Sequence, residues 1–330
     1  MDGEKRISLY ELISEAVTDG CLPDDFSLPE IADNSQIMWM DGAMDGVSIY
    51  HMGFSDLSDE SKTRMSKAVD AASKRNFDGA DRLFCELGSD ARAIASIDEL
   101  QSYVMDHREE LSAENIYEYA VHAVLHSSDR ECVKYGLSLL ELFDINDSNE
   151  LKNVIRTLGL SDEFSIFAIF LMLRWENGND EVYQLARRLH GWGRIHAIER
   201  IEPETDEIRD WLLKDGVHNR VLPAYSALTC WQKSDAESVL KGCPTKEQFA
   251  GIRDIVDGLL DEGPVLGISA MEDGAERMID FLKQARSINL ESEDYEVIRN
   301  IRRYYEDGDT ENPEIVLMCQ KILECEGLQE

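Results

Sequence analysis

Apolar residues recur along this chain at three- and four-residue intervals, a period that predicts helix almost throughout. Residues 4–19 form the first expected helix, with Ile7, Leu9, Leu12, Ile13, Ala16 and Val17 on one side and Gly20 just past its end. Residues 21–55 break the period. Within them QIMWM (Gln36–Met40) and VSIYHM (Val47–Met52) flank DGAMDG, and two Asp-Gly pairs between short apolar runs predict a small β-hairpin. A loop packed under methionine and tryptophan side chains is the alternative. The helical period resumes at about residue 58 and runs to about residue 327.

The middle of the chain repeats one plan. Asp147–Gly159, Asn179–Gly191 and Thr205–Gly216 each start with a polar cap and an early glutamate, continue with helically spaced apolar residues, and stop at glycine. Asp147 with Glu150, and Thr245 with Gln248, have the capping-box spacing. A more apolar helix precedes each of the three, at roughly 133–143, 164–175 and 194–201. Such a helix pair cannot bury its apolar face alone, so stacking on its neighbours is the expected solution.

In this plan the chain resembles HEAT-like repeats of the short kind, at about 30 residues per pair. The resemblance is clearest over residues 113–262. It implies an all-α fold, an antiparallel α-solenoid of short helix pairs. The expected division is 1–57, an N-terminal helix with an irregular or hairpin cap, and 58–330, the helical repeat domain. The segment GWGRIHAIERIEPETDEIRDWLL also resembles an uncharacterised bacterial HEAT-like family, some members of which carry the label limonene hydroxylase. No haem, flavin or iron motif in the sequence supports that label.

Charge narrows the partners. The chain has 67 acidic and 33 basic residues, for a formal charge of -34, while hydrophobic residues make up an ordinary 43%. The acidity is therefore a surface property, one that repels nucleic acid and anionic lipid and favours basic proteins or peptides. Residues 1–17 lack the long apolar run of a signal peptide, and no stretch has the length of a membrane span. Seven scattered cysteines without a CxxC pair suit a reducing compartment, so the expected location is the cytoplasm.

One basic island interrupts the acidity: Arg187–Arg200, RRLHGWGRIHAIER. Arg187, Arg188 and His190 are explained as cations at a helix C-terminus. Trp192 and Arg194 fall at a helix N-terminus, where free N–H groups suit an anion, and His196 and Arg200 ride the same helix. Trp192, Arg194, His196 and Arg200 are thus the candidate ligand- or partner-binding residues. Salt bridging to the acidic run Glu199–Asp210 is the structural alternative. A second candidate is the stripe Glu118, His122 and His126, spaced four apart, which could hold a divalent cation but equally makes a solvated helix face. Neither a P-loop nor a GxGxxG, GxSxG or cysteine–histidine signature occurs, and no cofactor is expected.

The function expected from these features is an interaction scaffold that binds a basic protein or peptide on a concave face. One alternative is a protein or enzyme that takes a small anionic ligand at Trp192–Arg200. A second is a nucleic-acid enzyme resembling the HEAT-like alkylpurine DNA glycosylases, in which Trp175, Trp192 and Trp211 with Asp210 or Glu199 would imitate the aromatic–acid constellation. The charge of -34 opposes that second alternative.

Overall fold

Helix caps written into the sequence set where several of the elements begin. The computed structural model describes residues 7–29, 39–306 and 310–326. Among these residues there are eighteen α-helices and no strand, apart from one isolated bridge between Thr18 and Cys21. The chain forms two compact units, Met1–Ala197 and Ile198–Glu330.

The first unit holds α1 (Leu9–Ala16), α2 (Ala43–Val47), α3 (Asp59–Ser73), α4 (Phe77–Asp90), α5 (Ala93–Asp106), α6 (Ala113–His126), α7 (Arg130–Leu140), α8 (Asn149–Gly159), α9 (Ser165–Met172) and α10 (Gly178–Ala186). The unit boundary falls inside α11 (Trp192–Arg200). Ser8 caps α1 in a capping box with Glu11, Ser58 caps α3, Asn76 caps α4 and Asp129 caps α7. Each accepts a backbone N–H that the helix cannot satisfy itself. The cap expected at Asp147 belongs instead to Ser148, whose hydroxyl accepts from Leu151 N–H. Consecutive helices pack together: α3 on α4, α6 on α7 and α8 on α9. The aromatic heart of this unit is Phe84, with ring centroids 4.7 Å from Tyr135 and 5.6 Å from Tyr119. Helix α9, SIFAIFLM, is apolar all round and accordingly buried on nearly every side.

The second unit holds α12 (Asp206–Lys214), α13 (Ala224–Lys233), α14 (Ala236–Lys241), α15 (Lys246–Leu260), α16 (Gly274–Ala285), α17 (Ser292–Glu306) and α18 (Pro313–Glu326). Thr205 caps α12, and Thr245 with Gln248 closes the expected capping box on α15. Helix α15 lies against α12, α13 and α17, and Phe249 stacks on Phe281 at 5.0 Å.

The hairpin expectation is corrected. Residues Ala43–Val47 are α-helical and Ser48–Met52 continue as a π-helical turn, while Gln36, Ile37 and Met38 lie outside the described residues. The two Asp-Gly pairs serve contacts rather than a reversal. Gly42 adopts φ +72°, and a Cβ there would sit 2.4 Å from the Asp162 carbonyl oxygen. Gly46 lies flat against the Trp192 ring. Both aspartates enter the ion network described next.

Candidate functional site

The basic island divides in two. Arg187, Arg188 and His190 follow the end of α10 and are exposed, with Arg187 over the Tyr183 ring at 5.5 Å. Trp192, Arg194 and His196 point inward, at 7%, 5% and 1% exposure. The N-terminus of α11, expected to be open to an anion, already holds one: Gly193 N–H donates to Asp162 Oδ1 at 2.8 Å. Gly191 and Gly193 have no side chain because the Asp162 carboxylate and Ser165 press on the backbone there. Arg194 reaches back to the preceding helix, where Nη1 donates to the carbonyls of Ala186 at 3.1 Å and Leu189 at 3.4 Å. A guanidinium on a helix C-terminus satisfies carbonyls that lack intrahelical donors and opposes the dipole.

Trp192 and His196 form a wall with Tyr50. The Trp192 ring lies 5.8 Å from Tyr50 and 6.2 Å from His196, and Tyr50 stacks on His196 at 6.1 Å. Arg200 has a side chain 25% exposed and pairs with Glu199 at 3.1 Å. The four candidate residues therefore do not converge on one surface. Three close a joint inside the first unit, and the fourth sits beyond the unit boundary.

The stripe on α6 is gathered only in part, with the His122 and His126 ring centroids 5.2 Å apart. Glu118 pairs with Arg75 at 2.5 Å, while His122 lies 3.9 Å from Asp81 and against the Phe77 ring. Among the described residues no group of three or more His, Cys, Asp or Glu side chains is gathered in the manner of metal ligands.

The densest chemistry in the first unit was not singled out in the sequence. Lys134, in the middle of α7, is fully buried, and its ammonium lies 2.6 Å from Glu163, 2.7 Å from Asp45 and 3.0 Å from Glu131. Arg92 holds the other Asp45 oxygen at 3.0 Å. Arg130 bridges Asp41 at 2.9 Å and Glu163 at 3.1 Å, and also donates to the carbonyls of Leu28 and Pro29. The second oxygens of Glu131 and Asp41 accept from backbone, Ala93 N–H and Leu28 N–H respectively, and Gly42 N–H shares Glu163 Oε2 with Arg130. Three cations face four anions, and segments far apart in sequence are pinned to α7.

This arrangement is built to hold charge, not to react. An ammonium has three N–H donors, and three carboxylates take them. Burial by itself would lower the Lys134 pKa, but Glu131, Glu163 and Asp45 outweigh it and hold the pKa far above the ordinary value. A nucleophilic lysine needs the opposite shift. Burial would likewise raise the Glu163 pKa, yet Lys134, Arg130 and Gly42 N–H bring it below 4.5. Burial prevails at Glu131 and Asp41, whose pKa values are raised.

These directions fix a pH signature. A depressed carboxylate stabilises the fold fully above its unfolded pKa, and that contribution is lost as pH falls through the folded value. Groups with raised values act oppositely, favouring the fold as they take up protons. Urea midpoints of Glu163→Gln should therefore fall less than those of the parent protein as pH drops below about 4.5. Glu131→Gln should show a fall at least as steep as the parent; the reverse ranking would refute this account of the network.

One cue to Lys134 lay in the helix itself, a lysine between Val133 and Tyr135 in CVKYGLSLL, where every residue proves to be buried. No helix is long and apolar enough to cross a membrane among the described residues. Comparison of the chain with protein-family models, curated proteins and solved structures yields no match.

Proposed function

We propose that the chain is an interaction scaffold, a solenoid of short HEAT-like helix pairs whose acidic surface takes a Lys/Arg-rich protein or peptide. The observation that carries this reading is the disposition of charge. Of 33 basic residues against 67 acidic ones, several are drawn into the interior. Lys134, Arg194 and Arg277 are buried, and Lys233 is spent on the carbonyls of Glu199 and Ile201 at 2.8 and 2.7 Å. The island that seemed the positive exception thus contributes less to the surface than its sequence implies. The packing of helices on near sequence neighbours supports the solenoid reading, because repeat arrays are built from such contacts. Of the four residues expected to anchor a partner, Arg200 is the one that is not buried, its side chain being partly exposed.

An acidic surface acts at long range, so its effect falls on the association rate. Stopped-flow binding of an arginine- and lysine-rich peptide to the full chain should slow by roughly tenfold between about 50 and 500 mM salt. The same peptide with glutamine at its basic positions should not bind, and duplex DNA should not bind at low salt. An on-rate indifferent to salt, or equal binding of the glutamine peptide, would refute the proposal. Tight duplex binding would favour the nucleic-acid enzyme instead.

A further inference from the structure

A cavity of mixed charge lies in the first unit, away from the basic island. The loop after α7 and the end of α9 enclose its volume of about 290 Å³, close to the lower end of ligand pockets at roughly 300–1,000 Å³. Its apolar lining comes from Leu142, Phe143, Ile145 and Leu171, and its polar lining from Arg174, Asn146 and Asp144. Trp175 forms part of the wall and is 5% exposed, with an indole Nε1–H that is buried and has no acceptor. Buried donors are nearly always paired, so an orphan at a cavity wall is informative.

Cations collect around that indole. Lys152 Nζ lies 5.1 Å and Arg156 Cζ 5.3 Å from the ring centroid. Arg156 is committed to Glu181 by two contacts, at 2.8 and 2.6 Å. Lys152 donates to Asn146 Oδ1 at 3.5 Å and acts on the Asp144 carboxylate, and the exposed Arg174 guanidinium acts on Glu141, but among the described residues neither cation is within 4.0 Å of a carboxylate. The facing acids are already engaged. Glu141 accepts from Gln101, and one Asp144 oxygen accepts from the backbone and side chain of Asn146.

We infer that this cavity binds a small organic anion with an apolar body, a medium-chain carboxylate in its simplest form. The carboxylate is taken by Arg174, with Lys152 adding its charge, and the hydrocarbon lies against Phe143, Leu142, Ile145 and Leu171. A ligand oxygen at the inner wall gives the Trp175 Nε1–H an acceptor. The chemistry asks for both parts of the ligand. The wall without the cation would bind an alcohol equally well, and the cation without the wall would bind inorganic phosphate.

Calorimetric titration of the full chain with octanoate tests this, with octanol and inorganic phosphate as the two controls. Octanoate should bind saturably at one site, at least about tenfold more tightly than either control. Arg174→Gln should weaken it about tenfold, since it removes a charged partner from an exposed position and leaves the fold intact by circular dichroism. Trp175→Phe keeps the ring and removes the donor, and a smaller loss of a few fold is expected. Equal binding of octanol or of phosphate would overturn the inference, as would undiminished octanoate binding by Arg174→Gln. Absence of saturable binding up to on the order of 10 mM would overturn it too.

Discussion

Lys134→Met should be among the most damaging single changes in the first unit, costing about 3–5 kcal/mol of stability. The substitution keeps the aliphatic stem and removes the ammonium. Asp45, Glu131 and Glu163 would then face one another in the interior, with Arg92 and Arg130 left to offset them. Such a loss is a large share of the roughly 5–15 kcal/mol that separates native from unfolded protein. Urea denaturation followed by far-UV circular dichroism measures it as a drop in midpoint. The origin of the loss is separable. In Lys134→Met/Glu131→Gln/Glu163→Gln the network is neutral where the lysine was, so much of the stability should return, because the cost lies in uncompensated charge rather than in lost packing. A triple variant no more stable than the single one would show that the ammonium was needed for shape.

The contrast between what could and could not be anticipated has a physical origin. Helix caps at Ser58, Thr205 and Thr245 are local, decided within three residues, and the periodicity that defines the helices is local too. The ion network is not. Lys134 and Asp45 are 89 positions apart, and Gly42 meets Glu163 across 121. No spacing rule reaches that far. Arg130 and Glu131 at the start of α7 resemble an ordinary charged first turn, and the lysine alone broke the apolar pattern. The Asp-Gly pairs misled for a related reason. Aspartate and glycine together are the usual chemistry of a tight hairpin, but here Asp41 and Asp45 are partners for buried cations. Gly42 and Gly46 instead leave room for Asp162 and Trp192. The basic island was legible as a joint between helices, yet its side chains close that joint from within. Asp162 was the missing piece, an internal anion at a helix end that was expected to be vacant.

The role of Trp192 follows from that joint. Its indole is buried in the first unit, and Trp192→Ala should cost about 3–5 kcal/mol through lost burial and the cavity left behind. A residue that served a ligand from the surface would cost far less, so the magnitude itself separates structure from recognition. Gly46 supplies the complementary test. A Cβ there would lie 2.2 Å from Trp192 Cε3, with further ring carbons at 2.3 and 2.7 Å. An aromatic ring has no flexible end to turn aside, and Tyr50 and His196 flank it. Gly46→Ala should therefore cost about 1–3 kcal/mol by overpacking. The two changes should not add. With the indole gone, the new methyl group meets a cavity instead of a ring, so Gly46→Ala/Trp192→Ala should be no less stable than Trp192→Ala alone. Urea midpoints of the four proteins complete the cycle. Additive losses would mean that α2 does not rest on the Trp192 ring, and the tie between the Asp-Gly segment and the island would fail with it.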